Sequence, residues 1–148
     1  MRYRWSALVV LALVLMPRVG PAQSATTTQK APVAKLEQNY PNPFNPETRI
    51  PFSVGVFPAC SEGGKQYRVS LRIYNILSQL AAVPVLQGGS GSVAGGQPLA
   101  NVLLPCGQYT AYWNGNYLST SQEVASGIYV YALEVDGRRA VKKMIVMK

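Results

Sequence analysis

The chain has 148 residues, of which 14 are Lys or Arg, six are Asp or Glu and none is His, so its formal net charge is +8. This length suits one domain of ordinary size. The lack of histidine removes the commonest general base and metal ligand, and two cysteines cannot form a structural zinc site unaided. We therefore expect no metal and no other cofactor.

Residues 1–22 have the pattern of a secretory signal peptide. Arg2 and Arg4 form a basic start, residues 7–16 are an apolar run, and small residues at 20–22 suit a cleavage site. Ten apolar residues are too few to span a bilayer comfortably, although an uncleaved N-terminal anchor is the alternative. We predict export through the periplasm to the cell surface or the medium, with no transmembrane span after signal cleavage.

Residues 38–48, which we call the proline-rich segment, read QNYPNPFNPET and contain three prolines. Proline is excluded from helix interiors and central strands, and it favours extended geometry in the residue before it. The segment is therefore predicted to be a stiff, extended lead-in with Tyr40 and Phe44 as aromatic anchors. The polar residues before it, 23–35, are predicted to form a flexible leader.

From residue 48 onwards, short alternating segments predict about seven strands and no amphipathic helix. In residues 67–76, Val69, Leu71 and Ile73 alternate with polar residues, as in a half-buried strand. Asp136 and Gly137 form the dipeptide of a two-residue hairpin. The other strand candidates are residues 48–54 (with Pro51 at an edge or a bulge), 80–86, 99–104, 109–113, a strand opening at 126–127, and 141–147. Residues 88–97 are predicted to form a mobile glycine-rich loop.

This order of elements predicts an all-β fold, an immunoglobulin-like antiparallel β-sandwich. Trp113, Tyr129 and Tyr131 are expected to fill its core, with an aromatic binding platform as the alternative. Cys60 and Cys106 lie in loop-like contexts. Export favours a disulfide between them, although two free thiols are the alternative.

Five basic residues cluster near the end of the chain: Arg138, Arg139, Lys142, Lys143 and Lys148. A basic patch can bind nucleic acid, but an exported chain rarely meets it, so no nucleic acid is expected as a partner. Anionic surface polysaccharide or lipid head groups are the better candidates. The alternative is that these side chains only face solvent and keep the protein soluble.

Five motifs occur in one order along the chain: the proline-rich segment, VSLRIYN at 69–75, GQY with WNG at 107–115, VASGIYVYAL at 124–133 and KKMIVMK at 142–148. Together they resemble the C-terminal sorting domains of the type IX secretion system. These domains are similar to the immunoglobulin-like domain of flagellar hook-capping proteins. The resemblance covers residues 36–148, so the domain is predicted there. The chain departs from the pattern at Ser78 (usually Gly), at Asn114 (usually Asp), in its longer glycine-rich insert and in its two cysteines.

The resemblance implies a domain that an outer-membrane translocon reads as an address and that a sortase-like enzyme often removes. The implied recognition residues are Lys142, Lys143, Met144 and Lys148, together with the proline-rich segment. The implied motif residues are Asn39, Tyr40, Pro41, Asn42, Pro43, Phe44, Asn45, Pro46, Gly127, Tyr129 and Tyr131. The resemblance therefore favours an exported, non-enzymatic module for sorting or cell-surface attachment, with translocon or sortase-like partners.

Two other functions are weighed against this one. The first is a free-standing structural or adhesive immunoglobulin-like domain that binds surface glycans or partner proteins. The second is a small exported enzyme, which the residues do not favour. The six acidic residues are scattered, and residues 88–96 match no phosphate-binding glycine motif. We therefore predict no enzymatic activity.

Overall fold

The computed structural model of the chain describes residues 33–89 and 93–148, and in these ranges it contains nine strands and no helix. The predicted signal peptide and most of the predicted leader lie outside the described residues. None of the described residues forms a helix that could cross a membrane. The strands are β1 (Ala34–Leu36), β2 (Thr48–Val54), β3 (Gln66–Asn75), β4 (Leu80–Ala82), β5 (Val85–Gly89), β6 (Val102–Pro105), β7 (Gly107–Trp113), β8 (Gly127–Val135) and β9 (Arg138–Val146).

The strands form two antiparallel sheets. The four-stranded sheet has the order β1-β2-β7-β5, and the five-stranded sheet has the order β4-β3-β8-β9 with β6 also paired to β3. Alternate residues of β2 and β7 are buried, as expected for strands with one face on a core. Both sheets contribute to one buried core, as in a β-sandwich. The predicted all-β class is confirmed, with nine strands rather than about seven.

The segment predicted as one strand at 80–86 is divided between the two sheets. β4 pairs with β3, whereas β5 pairs with β7. Val83 and Pro84 separate them, and the Pro84 carbonyl accepts a hydrogen bond from the Leu99 N–H at 2.9 Å. Because proline has no N–H to donate to a ladder, the chain leaves one sheet there and enters the other.

Two other predicted boundaries are wrong. β1 begins at Ala34, inside the segment predicted to be a flexible leader, because its backbone pairs with the C-terminal half of β2. The strand predicted at 99–104 is β6, Val102–Pro105, while Leu99 is fully buried and its carbonyl accepts the Leu71 N–H. Local alternation could not place these ends because tertiary pairing decides them.

The β8–β9 hairpin has the predicted two-residue turn. Val135 pairs with Arg138, and Asp136 and Gly137 both have positive φ, at 48° and 78°. This is the backbone geometry of a type I′ turn, which Asp-Gly favours. The Asp136 Oδ1 also accepts a hydrogen bond from the Arg68 N–H at 2.9 Å, so the turn is fixed against β3.

The predicted disulfide between Cys60 and Cys106 is present, with Cα atoms 5.5 Å apart, so neither thiol is free. It links the loop after β2 to the turn between β6 and β7. Gly55 lies against this bridge, with a φ of +73°, and a Cβ at Gly55 would be 2.8 Å from the Cys106 Sγ. Glycine is therefore needed there both for its backbone conformation and for space.

Candidate functional site

The proline-rich segment and the end of β9, for which the resemblance implies a role in recognition, lie side by side. The Gln38 Nε2 donates a hydrogen bond to the carbonyl of Lys143 at 3.0 Å, although the two residues are 105 positions apart. The Asn42 Oδ1 accepts a hydrogen bond from the Ile145 N–H at 2.9 Å. Both side chains therefore bind backbone groups on the outer edge of β9.

Phe44 continues this contact through its backbone. Its N–H donates to the Ile145 carbonyl and its own carbonyl accepts from the Met147 N–H, both at 3.0 Å, which makes a short parallel bridge opposite Val146. We call the proline-rich segment together with residues 143–147 the terminal junction. Because β9 is an edge strand, these contacts cover backbone groups that would otherwise be open to pairing.

The proline-rich segment folds back on itself, so the predicted extended lead-in is wrong. Tyr40 and Arg49 exchange two backbone hydrogen bonds of 2.8 Å, which closes a ten-residue loop. Inside the loop, the Asn39 Nδ2 donates to the Thr48 Oγ1 at 3.0 Å, and the Thr48 hydroxyl donates to the Pro41 carbonyl at 3.1 Å. Asn39 and Thr48 are buried, and these bonds satisfy their polar groups.

Of the two predicted aromatic anchors, Phe44 is packed in the core and Tyr40 is exposed. Phe44 is 2% exposed, and its ring meets the Trp113 ring edge-on at 5.4 Å. Trp113 in turn meets the Tyr129 ring edge-on at 5.9 Å. Tyr40 is 60% exposed. Since Trp113, Tyr129 and Tyr131 are all buried, they fill the core as predicted and form no aromatic binding platform.

Gly115, which follows Trp113 and Asn114, needs to be glycine both for its backbone conformation and for space. Its φ is +77°, and a Cβ at this position would clash with the Pro46 carbonyl oxygen. A side chain here would therefore push the proline-rich segment away from the domain. Gly115 belongs to the WNG motif at 113–115, but no role at the site is predicted for it from the motif.

Tyr131 connects the terminal junction to the core. Its ring is fully buried, its hydroxyl donates to the Glu37 carbonyl at 2.9 Å, and the hydroxyl oxygen accepts the Asn39 N–H at 3.0 Å. Burial raises the pKa of this phenol above its usual value of 10.0, opposed by the hydrogen bond from the Asn39 backbone. The folded protein therefore favours the neutral hydroxyl.

We expect Tyr131→Phe to lower the free energy of unfolding by about 1–3 kcal/mol at pH 7, because the buried Asn39 N–H loses its acceptor. The pH dependence should also change. A pKa raised in the folded state gives stability that is present below pH 10 and lost as the pH rises further. Urea unfolding at pH 7 and above pH 10 should show that the free energy of unfolding falls less with rising pH for the variant than for the wild type.

Tyr112→Phe is the control for this prediction. The Tyr112 hydroxyl donates to the Glu47 carboxylate at 2.6 Å at the surface, so its loss should change stability at pH 7 by less than about 0.5 kcal/mol. Equal losses for the two variants would contradict the assigned role of Tyr131.

The four predicted recognition residues do not share one surface. Lys143 is exposed on the outer face of its sheet, whereas Lys142 is half-buried and faces the core side, and Met144 is fully buried. The Lys148 Nζ lies 3.0 Å from the Glu123 carboxylate, and the Lys148 N–H donates to the Ser126 hydroxyl. A partner of the folded domain can therefore reach Lys143 and Lys148, but not Met144.

The exposed part of the terminal junction combines residues from both ends of the domain. Ile145 is 38% exposed and Met147 is 55% exposed, beside the exposed side of the proline-rich segment. The exposed residues of that segment are Gln38, Tyr40, Pro41, Asn42, Pro43, Asn45, Pro46 and Glu47. Gly127, another predicted motif residue, opens β8 opposite Val146 with a φ of +153°, a conformation that favours glycine.

Gln38 and Thr48 belong to the proline-rich segment that is predicted to take part in recognition, but no individual role is predicted for either residue. Their roles depend on partners that a sequence pattern does not name: the Lys143 carbonyl for Gln38, and Asn39 and the Pro41 carbonyl for Thr48. The sequence feature that could have indicated these roles is a polar side chain at each end of the proline-rich segment.

The surface also contains a cavity of about 270 Å³ next to the C-terminal residue, lined in part by Asn75, Tyr117 and Glu123. Its one carboxylate, Glu123, is the partner of Lys148. Within residues 33–89 and 93–148, no three Cys, Asp or Glu side chains group as metal ligands would. The cavity therefore offers one carboxylate already in an ion pair, not a matched acid and base.

Comparisons with known proteins identify no family for the chain. No protein-family model and no curated protein matches it. A solved structure of the Pseudomonas fluorescens alkylpurine DNA glycosylase AlkC, bound to DNA containing an abasic site analog, aligns with 78% of the chain at 11% identity and a TM-score of 0.43. The chain spans 31% of the length of that protein, and a similarity this weak carries no argument about function.

Proposed function

We propose that the chain is an exported, non-enzymatic module of immunoglobulin-like type, which directs sorting or cell-surface attachment as type IX sorting domains do. Translocon or sortase-like proteins would recognise it at the terminal junction. The observation that carries the proposal is the contact between two motifs 105 positions apart, made by Gln38 with Lys143 and by Asn42 and Phe44 with Ile145.

Such a composite surface has a physical consequence for recognition. Ile145 and Met147 are placed beside the proline-rich segment only when β9 is paired in its sheet and Phe44 is packed against Trp113. A partner that reads this surface therefore binds the folded domain and not the unfolded chain. The disulfide between Cys60 and Cys106 is consistent with a periplasmic or extracellular location for this folding step.

A reporter fusion tests the proposal. Residues 33–148 should be fused to the C-terminus of a periplasmic reporter that has its own signal peptide, so that β1 is retained. In a host with a type IX translocon, we expect the reporter at the cell surface or in the medium. A reporter that stays in the periplasm, although the domain is folded and oxidised, would contradict the proposal.

A matched pair of variants locates the recognised surface. Met147→Ser removes an apolar side chain that is 55% exposed at the terminal junction, and Leu103→Ser removes one that is 52% exposed on β6. We expect the first change to reduce export of the reporter several-fold and the second to leave it unchanged. Equal effects would show that the terminal junction is not the surface that is read.

The second candidate function is a free-standing structural or adhesive domain that binds surface glycans. It is favoured by a group of cations on the outer face of the five-stranded sheet. None of the ion pairs in the described parts of the chain includes Arg72, Arg139 or Lys143. Unpaired cations on one face give that face a positive potential that attracts anionic ligands.

A further inference from the structure

The outer face of the five-stranded sheet contains a groove of about 320 Å³ at the end of β3. Val130 lies opposite both Tyr74 and Lys143 in the strand registers, so one cross-strand row runs through the groove. The complete lining is Tyr74, Asn75, Ile76, Ser78, Val130 and Arg139. The groove therefore combines an aromatic ring, an apolar floor and a cation.

Arg139 contacts an aromatic ring rather than an acidic side chain. Glu134 lies directly opposite it on β8, yet within the described ranges the two make no ion pair. The Arg139 guanidinium instead lies over the Tyr74 ring, 5.6 Å from the ring centre. Arg139 is on β9 and Tyr74 is on β3, and the small residue Ala132 of β8 lies between them. This is a cation–π contact, and the guanidinium N–H groups have no hydrogen-bond partner among residues 33–89 and 93–148.

Two further cations stand on the same face. Arg72 lies opposite Ala132, and Lys143 lies opposite Val130, so the three cations lie on the same face of the sheet as Val130. Arg139 and Lys143 are four residues apart on β9, which places their Cα atoms about 13 Å apart along the strand. Glu134 is the single carboxylate on the outward positions of β8 and β9.

We propose that this groove binds the carboxylates of an acidic polysaccharide. The Arg139 guanidinium would hold one carboxylate through two parallel N–H···O bonds, while Arg72 and Lys143 pair with neighbouring acidic units of the same chain. Val130 forms the apolar floor of the groove and Ile76, which is 75% exposed, adds apolar surface beside it, so a ligand can place the C–H face of a sugar ring there. This inference deepens the second candidate function and is independent of the sorting role.

Binding of the purified, oxidised full chain to polygalacturonic acid fragments tests the proposal. The fully methyl-esterified polymer is the matched ligand control, because it keeps the sugar backbone and removes the charge. We expect the acidic form to bind at least about tenfold more tightly than the ester, and salt to weaken this binding. Equal binding to both forms would overturn the proposal.

Four variants distinguish the groove from general positive charge. Arg139→Gln should weaken binding about tenfold, the low end for a hydrogen bond to a charged group at a partly exposed site. Tyr74→Leu should also weaken binding, because it removes the ring that the guanidinium contacts. Arg139→Lys should weaken it as well, because it replaces a planar fork by a point charge. Arg138→Gln removes the same charge from the adjacent position, on the opposite face, and should change affinity less than twofold.

The remaining outcomes are also decisive. Equal loss in Arg138→Gln and Arg139→Gln would reduce the effect to net charge and overturn the site. Binding to vesicles that contain anionic phospholipid, with no binding to the polysaccharide, would identify a membrane surface instead and also overturn it. A circular-dichroism spectrum unchanged in each variant ensures that lost affinity reports the groove rather than unfolding.

Discussion

Phe44→Ala is expected to lower the free energy of unfolding by about 3–5 kcal/mol, the usual range for removing a buried phenylalanine. Phe44 is 2% exposed and lies edge-on to Trp113, so the truncated side chain leaves a cavity next to that ring. The segment that carries Phe44 is a loop rather than a strand. Even so, we expect the loss of the Phe44 ring to cost as much stability as the loss of a buried side chain in either sheet. Urea unfolding followed by far-UV circular dichroism measures this loss.

Tyr40→Ala is the matched control, because it removes the other aromatic residue of the same proline-rich segment. Tyr40 is 60% exposed, so this change should alter stability by less than about 0.5 kcal/mol. The two variants therefore separate the effect of packing from that of the motif. Similar losses for Phe44→Ala and Tyr40→Ala would contradict the placement of Phe44 in the core.

Replacing both cysteines, in Cys60→Ser with Cys106→Ser, is expected to lower the free energy of unfolding by about 4 kcal/mol. The disulfide closes a loop with a sequence separation of 46 residues, and the chain-entropy model gives this value for a loop of that length. The effect acts on the unfolded chain, because the open chain has more conformations to lose on folding. Urea unfolding of the double variant, compared with the oxidised wild type, provides the measurement.

The wild-type protein unfolded in the presence of a thiol reductant is the control for the serine substitutions. It should match the double variant, because both lack the covalent link. A midpoint for the double variant equal to that of the oxidised protein would contradict the prediction. The loss of stability from Phe44→Ala should add to the loss from the cysteine changes, because β7 separates Cys106 from Trp113 by about 20 Å.

Much of the fold could be predicted because it depends on local patterns. Alternation placed Val69, Leu71 and Ile73 on the buried face of β3, and Asp136-Gly137 predicted the hairpin between β8 and β9. The pairing of Cys60 with Cys106 followed from the count of two cysteines and the expected compartment. Each of these predictions needed only neighbouring residues or a single possible pairing.

The predictions that were wrong depended on distant partners. The segment at 80–86 looked like one strand, but Pro84 moves the chain between sheets, and only the positions of β3 and β7 show where each half pairs. The prolines suggested an extended lead-in, but buried bonds between Asn39 and Thr48 close it into a loop. Tyr40 and Phe44 looked equivalent because sequence does not say which ring meets Trp113.

The sequence by itself determined the all-β class, the core aromatic residues Trp113, Tyr129 and Tyr131, and the one disulfide. Only the tertiary structure decided that Gln38 and Phe44 contact β9, and which of Lys142 and Lys143 faces solvent. The physical reason is the range of the interactions. Side-chain alternation along a strand is a local property of the backbone, whereas strand register and loop contacts depend on residues about a hundred positions away.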